Sequence, residues 1–211
     1  MKKITIKRIS FIAAFCAITV VLYNYVKFNL PIFPSFLDIN ISMIPVIIAT
    51  FMLGPIDGCI CVVMRMLFKW ILPPGTATGY VGEVADLLIG LAVCLSSGLV
   101  YHKAKFKGKT VLAFFLVIIS WVAMGIISNI FINIPWYTQF YFKGDMTPLI
   151  GMCSDAFNLI TFGRVTVLNE ANFMVLYIFL AVIPFNIMLS AIVALVTLLV
   201  HKRLKILYDM I

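Results

Sequence analysis

Charged side chains are scarce in this chain of 211 residues, where Asp, Glu, Lys and Arg together make up 11% of the sequence. An average soluble domain has roughly 25%. Apolar residues account for 64%, and a soluble fold cannot bury so much apolar surface behind so few charges. The composition therefore excludes a disordered chain, an ordinary soluble enzyme and a small disulfide scaffold. We expect residues 1–211 to form a single integral membrane domain, with no room for an ATP-hydrolysing domain.

Sequence patterns for catalysis and metal binding are also missing. The chain contains no His-Glu-x-x-His, no Gly-x-Ser-x-Gly and no glycine-rich phosphate loop. Its 2 histidines, His102 and His201, lie among lysines, where we expect them at the solvated ends of helices. Four of the 5 cysteines lie in apolar runs without metal-ligand spacing, so we expect buried free thiols. These absences argue against an enzyme, a cofactor and a metal site.

Positive charge is concentrated rather than spread. Basic residues outnumber acidic ones by 16 to 8, and 11 of the 16 fall in three short stretches: residues 2–8, 103–109 and 202–205. Basic loops of membrane proteins stay on the cytoplasmic side. In so apolar a chain this explanation is preferred to a nucleic-acid-binding patch. We therefore expect all three stretches to be cytoplasmic, and we expect no nucleic-acid partner.

Long apolar runs are present in numbers that suit a membrane bundle. A spanning helix needs about 20 residues, and there are six candidate runs: about 9–28, 41–53, 57–72, 80–101, 111–132 and 171–200. Six spans that begin inside put both termini in the cytoplasm, in agreement with the basic stretches. The outer connections are rich in Pro, Gly, Asn and aromatic residues: 31–38, 73–79 and 133–169. We expect an all-α bundle of six transmembrane helices whose outer loops cover an outward-facing pocket.

Charges inside the predicted spans mark candidate functional positions, because a charge in the hydrocarbon usually faces the bundle interior. Arg65 and Lys69 are four residues apart and share one helix face, and Glu83 and Asp86 share a face of the next helix. The two helices are antiparallel, so Lys69 can meet Glu83, and Arg65 can meet Asp86. Such pairs would either hold the helices together or line a polar ligand pocket.

Neutral polar and small residues add weaker signals. Asn129, Asn133 and Asn186 can bind a ligand or hydrogen-bond another helix. Ala13 and Ala17 form a small-xxx-small pattern that lets another helix approach closely. Three aromatic residues after the fifth span fit an interfacial belt or a planar ligand: Trp136, Tyr137 and Tyr141.

Four local patterns follow one another along nearly the whole chain. They are Ala13-x-x-x-Ala17; Phe33-Pro34-Ser35-Phe36-Leu37 through Ile44-Pro45 to Gly54-Pro55-x-x-Gly58; Val81-Gly82-Glu83-Val84-Ala85; and Ile183-Pro184-Phe185-Asn186. With these patterns the chain resembles the substrate-binding S component of energy-coupling factor (ECF) vitamin transporters. Among the subgroups it is most similar to the riboflavin-specific members.

The resemblance implies a function and a set of partners. It implies a six-helix bundle in the bacterial plasma membrane that binds one vitamin, riboflavin as first choice, beneath the first outer loop. Ala13 and Ala17 would dock on a membrane scaffold subunit, and two cytoplasmic ATPases would drive transport. Together with the charges and amides above, it yields a candidate ligand-binding set: Phe36, Asn40, Arg65, Lys69, Glu83, Asp86, Asn129, Asn133 and Asn186.

Departures from the riboflavin-type pattern keep other ligands open. Asn40 and Met43 stand where those members usually carry acidic residues, and Leu189 stands where they usually carry a Lys. A lone basic group near mid-membrane, Arg65, would suit a carboxylate, so pantothenate or another acidic vitamin is the alternative ligand. A membrane enzyme and a stand-alone carrier are remoter alternatives. Polar residues concentrate in the outer half of the chain's spans, which favours a dead-end pocket over a channel.

Overall fold

The computed structural model describes residues 5–76, 79–164 and 168–210, and most of that part of the chain is helical. Lys2 and Lys3 of the first basic stretch lie outside the described residues. Within the described ranges, four helical stretches are long and apolar enough to cross a membrane: Ile6–Tyr25, Val81–Lys103, Lys109–Tyr141 and Glu170–His201. The remaining helices are shorter and pack among or beside these four.

The first helix leads into a small β-ribbon. Helix α1 (Ile6–Tyr25) is followed by strand β1 (Lys27–Phe28), which pairs antiparallel with strand β2 (Ile39–Asn40). The ribbon closes the base of the loop formed by residues 29–38. Within that loop the Asn29 side chain donates a hydrogen bond to the carbonyl of Ser35 at 2.6 Å. The loop therefore has a defined shape, although it contains two prolines.

A short helix occupies the centre of the bundle. Helix α2 (Met43–Met52) has nine buried residues out of ten. It packs against helices α1, α3 (Pro55–Ile71), α4 (Val81–Lys103) and α9 (Ile183–Met210). Ten residues of helix extend about 15 Å, roughly half of the hydrocarbon thickness. Its largely apolar sequence is thus explained by burial within protein on nearly every side.

Glycines allow α2, α3 and α4 to pack this closely. On α4, a Cβ at Gly98 would lie 2.7 Å from Cγ2 of Thr50 and 2.8 Å from Cβ of Pro55. On α3, a Cβ at Gly58 would lie 1.9 Å from the Thr50 hydroxyl oxygen. Any larger residue at these points would push the helices apart.

The fifth helix is longer than the sequence predicts. Helix α5 (Lys109–Ser128) continues through a π-helical segment (Asn129–Asn133), the short helix α6 (Ile134–Trp136) and a second π-helical segment (Tyr137–Tyr141). Pro135 lacks an N–H and cannot complete a regular α-helical ladder. The wider π turns let the helix pass this point, so it does not end near residue 132.

The connection expected between residues 133 and 169 contains a further helix, α7 (Thr147–Thr161). Its buried residues recur with helical spacing: Leu149, Cys153, Ala156 and Phe157. Pro148 lies in its first turn, where a missing N–H costs nothing. Helix α8 (Glu170–Tyr177) then starts with an Asn169 capping box and continues through a π-helical segment (Ile178–Val182) into α9 (Ile183–Met210).

The end of the bundle that carries the basic loop 103–109 is filled by aromatic rings. Phe51 stacks on Tyr101 at 4.6 Å between centroids, and both lie against His201 together with Phe114. His201 is only 1% exposed. The prediction that it lies at a solvated helix end is therefore wrong, because neighbouring helices cover it. Nε2 of His102 lies 2.9 Å from the carbonyl oxygen of Thr50.

The glycine packing can be tested with one added methyl group. We expect Gly98→Ala to destabilise the protein by about 1–3 kcal/mol, because rigid Pro55 cannot move away from a new Cβ. The unfolding midpoint in detergent should fall by several degrees. Gly151→Ala on α7 is the matched control, since no heavy atom outside its own helical turn lies within 4 Å of a Cβ there. Equal midpoints for the two variants would contradict the argument.

Candidate ligand-binding site

A polar cavity lies at the opposite end of the bundle from the basic loop. It is enclosed by the ends of α1, α3 and α4, by the π-helical part of the fifth helix, by α9 and by the loop 29–38. Eight of the nine predicted ligand residues line it: Phe36, Asn40, Lys69, Glu83, Asp86, Asn129, Asn133 and Asn186. Arg65 lines a smaller, adjoining cavity that shares Asn40, Asp86 and Asn186 with the first.

Arg65 is held by groups from three other elements. Its Nη1 donates to the Ser42 hydroxyl at 2.8 Å, and its Nη2 donates to the main-chain carbonyl of Asp86 at 3.1 Å. The guanidinium carbon lies 4.5 Å from the centroid of the Tyr23 ring. With the residue only 3% exposed, these contacts replace the water that the charge has lost.

The side-chain pairs predicted between α3 and α4 are not formed. The Asp86 carboxylate accepts a hydrogen bond from the Tyr23 hydroxyl at 2.8 Å instead of pairing directly with Arg65. Among the described residues, the ion pairs join Arg8 to Asp57 and Lys27 to Asp38, each at 2.7 Å. Lys69 therefore does not pair directly with Glu83. Spacing put these four groups at the same cavities, but a tyrosine of α1 takes the Asp86 carboxylate and its ring contacts the Arg65 guanidinium.

Charge around the two cavities is balanced. Three cations and three carboxylates line them: Lys27, Arg65, Lys69, Asp38, Glu83 and Asp86. The Lys27–Asp38 pair joins strand β1 to the residue before strand β2, and both residues line the cavity. Lys69 is 5% exposed and faces the cavity rather than extending outward. A ligand entering this site meets matched charges and no surplus of either sign.

The π-helical segments present amides to the cavity. Asn129 accepts a hydrogen bond from the Tyr177 hydroxyl at 2.8 Å and another from the amide of Asn133 at 3.3 Å. The carbonyl oxygen of the Asn133 side chain is buried and has no partner among the described residues. Because buried polar atoms are normally satisfied, this unpartnered oxygen on a cavity-lining residue makes Asn133 a candidate ligand contact.

Asn186 occupies space that a glycine provides. Its amide donates to the carbonyl of Val182 at 2.7 Å, within the π-helical segment that precedes Pro184. A Cβ on Gly125 of the fifth helix would lie 2.8–2.9 Å from the Asn186 amide atoms. The backbone of one helix thus directly contacts the side chain that the next helix places at the cavity.

The loop 29–38 covers the cavity and is anchored by two aromatic residues. Phe33 packs edge-on against Phe185 at 5.2 Å. Phe36 lies 5.9 Å from Tyr137 and 6.1 Å from Tyr177. Phe33 is therefore buried against the helices and Phe36 is partly buried, whereas Ile32 in the same loop is exposed.

Sequence reasoning missed several lining residues: Tyr23, Lys27, Asp38, Tyr137 and Phe185. Tyr23 and Lys27 are four residues apart at the end of α1, a spacing that could have signalled a shared polar face. From sequence alone, Tyr137 was equally compatible with an interfacial aromatic belt. Its neighbours Trp136 and Phe140 in fact stack on each other and do not line the cavity.

The small residues of α1 point away from the bundle. Ala13 and Ala17 are exposed, and so are the neighbouring Ile18 and Val21. The opposite face of α1 buries Phe15. The helix therefore offers an apolar surface with little side-chain bulk, outside the ligand cavity.

A protein-family model described as "ECF transporter, substrate-specific component" matches residues 7–201. The chain belongs to this family. It is 30% identical over 198 residues to the riboflavin transporter RibU of Staphylococcus aureus (strain TCH60), covering 94% of this chain and 90% of that protein. The solved structure "Structure and mechanism of the S component of a bacterial ECF transporter" matches with a TM-score of 0.64 and 24% identity, over 94% of this chain and 95% of that one.

Family membership decides the class of function. An S component is the substrate-binding part of a transporter and an integral protein of the plasma membrane, so the chain is not an enzyme. The match to the solved S component concerns the fold, because identity at that level does not carry ligand preference. The match to the family model, residues 7–201, extends over all the elements that enclose the cavity.

Removing Arg65 tests whether its contacts are structural. We expect Arg65→Gln to destabilise the protein by about 1–3 kcal/mol, because the Ser42 hydroxyl and the Asp86 carbonyl lose their donor and the nearby Asp86 carboxylate loses a neighbouring cation. Adding Asp86→Asn should recover part of this loss, since no charge is then stranded. Thermal unfolding in detergent measures both effects. Arg203→Gln, at an exposed position of α9, is the control, and an Arg65→Gln protein as stable as this control would refute the structural role.

Proposed function

We propose that this S component binds riboflavin outside the cell and delivers it through a complex with a membrane scaffold subunit and two ATPases. The choice of riboflavin rests on one observation. The formal charges around the cavity are balanced, and Arg65 is already bound by Ser42, Asp86 and Tyr23. The identity to a riboflavin transporter over nearly the full length supports the same choice.

An acidic vitamin fits the cavity less well than a neutral one. Arg65 could bind a carboxylate only by giving up two hydrogen bonds. Lys69 is the lining cation that has no ion pair among the described residues, and it shares the cavity with the Glu83 carboxylate. Near the mouth, Lys27 is held by Asp38 at 2.7 Å. Each incoming negative charge would therefore also face three carboxylates. These points favour riboflavin, which is uncharged at neutral pH, over pantothenate.

The cavity wall suits the two halves of riboflavin. Its flat ring system carries hydrogen-bonding edges, and its ribityl chain carries hydroxyl groups. Phe36, Tyr137 and Phe185 supply aromatic surface, while Asn129, Asn133 and Asn186 supply amide donors and acceptors. Apolar walls with a few oriented polar groups are the usual composition of small-molecule sites.

The proposed topology has six spans, with both termini in the cytoplasm and the cavity facing outward. Its support is the position of the basic loop 103–109, at the end of α4 opposite to Glu83 and Asp86. Basic loops remain cytoplasmic, so the cavity would face outside. The short helices α2 and α3 would count as two spans; α2 is buried among other helices, whereas α3 has one apolar face exposed. The loop 29–38 would become more rigid when ligand binds.

Ligand competition tests the choice of vitamin. We expect riboflavin to bind the purified protein and to quench its tryptophan fluorescence, while pantothenate should not compete. Flavin mononucleotide should bind at least about tenfold more weakly, because its phosphate adds negative charge to a cavity lined by Asp38, Glu83 and Asp86. Tighter binding of pantothenate than of riboflavin would instead establish the acidic-vitamin alternative.

A matched pair of variants tests the cavity itself. Asn133→Ala should weaken riboflavin binding, because it removes the unpartnered buried acceptor. The control is Asn158→Ala, at an exposed position on α7 outside the cavity. Isothermal titration measures both affinities, and equal values would place the ligand elsewhere.

The scaffold-docking face is tested separately. Ala13→Trp and Ala17→Trp should abolish riboflavin uptake by cells while leaving the affinity of the purified protein unchanged, because both positions lie outside the cavity. Added bulk would hold the partner helix away. Ala123→Trp, at another exposed alanine on α5, should leave uptake intact. Loss of binding in the α1 variants, or loss of uptake in the control, would contradict the proposed surface.

A further inference from the structure

A second, apolar groove lies between the starting turns of α5 and the later part of α9. Its walls are almost wholly apolar, with one hydroxyl at the entrance: Thr110, Val111, Phe114, Phe115, Ile118 and Leu198. From Thr110 to Ile118 the groove follows α5 for about 12 Å. It shares no residue with the polar cavity, which contacts the fifth helix only at its far end.

Unpaired positive charge directly precedes the first lining residue of this groove along the chain. Lys103, Lys105 and Lys107 are exposed, Lys109 is partly exposed, and Lys109 directly precedes Thr110. None of these lysines takes part in an ion pair among the described residues. The sequence from 103 to 118 contains no acidic residue that could neutralise them.

An apolar groove next to a cluster of lysines matches the two parts of an anionic lipid, its acyl chain and its negative headgroup. A ligand that fits must carry negative charge at one end and a slender apolar chain that continues along α5 from the same point. We propose that the groove binds an acyl chain of an anionic phospholipid, with the lipid phosphate held by Lys107 and Lys109. Membrane proteins bind acidic headgroups at basic sites of this kind between helices.

Other occupants fit less well. A zwitterionic lipid could fill the groove but would gain little from four lysines. A free phosphate could approach the lysines but would leave the groove unused. The α1 surface proposed for scaffold docking shares no residue with this groove, so the two interactions can coexist. The lipid site also does not depend on which vitamin occupies the polar cavity.

Native mass spectrometry of the delipidated protein tests the proposal. Phosphatidylglycerol and phosphatidylcholine with identical acyl chains are titrated separately into the detergent-solubilised protein. We expect one phosphatidylglycerol to be retained at a concentration at least about fivefold lower than phosphatidylcholine requires. The double variant Lys107→Gln with Lys109→Gln should lose this preference. The control, Lys143→Gln with Arg164→Gln, removes two exposed cations at the other end of the bundle and should keep it.

Two further measurements separate a lipid site from a simple anion site. Val111→Trp should fill the groove and reduce retention of phosphatidylglycerol, while an unchanged thermal unfolding midpoint in detergent would show that the variant is folded. Glycerol 3-phosphate, which has the charge without the chains, should not displace the lipid. Equal retention of both lipids by the unaltered protein, retention unaffected by Val111→Trp, or displacement by glycerol 3-phosphate would each overturn the proposal.

Discussion

The guanidinium of Arg65 must be solvated by protein, because its side chain is buried in a bundle whose surroundings are hydrocarbon. Four elements meet to do so. Tyr23 comes from α1, Ser42 from the turn before α2 and Asp86 from α4, while Arg65 itself belongs to α3. The hydroxyl of Ser42 in turn donates to Asn40 at 2.6 Å, which extends the network to the β-ribbon. The floor of the ligand cavity and the base of its lid thus depend on the same buried charge.

Two of the helices that line the cavity depart from α-helical regularity beside it. In each, a π-helical segment comes shortly before a proline, Pro135 in one case and Pro184 in the other. The prolines disrupt the backbone ladder, and π turns are common at functional sites. Asn129, Asn133 and Asn186 all lie in or next to these segments. The same irregularity that lowers local helix stability therefore positions the polar groups proposed to hold riboflavin.

The two ends of the bundle have opposite characters. One end holds a polar, charge-balanced cavity beneath an anchored loop, whereas rings of Phe51, Tyr101, Phe114 and His201 fill the other. That arrangement suits a protein that binds its substrate but cannot pass it through a continuous channel. It agrees with the role of an S component, which works with a scaffold and ATPase subunits. The small-residue face of α1 and the proposed lipid groove lie on separate outer surfaces of the same bundle.

The sequence by itself determined the environment and the family of this protein. So few charges among so many apolar residues require a membrane, and local patterns such as Pro184-Phe185-Asn186 need no three-dimensional information to be recognised. Helical spacing also indicated which face of α3 and α4 is polar. Tertiary structure alone decided which atoms meet there: Tyr23 and Ser42, distant in sequence, take the contacts that spacing assigned to Arg65 and Asp86. Residue spacing along one helix specifies only the direction in which a side chain points. Its bonding partner depends on every helix and loop that packs against that face. His201 is buried for the same reason, because other helices cover it.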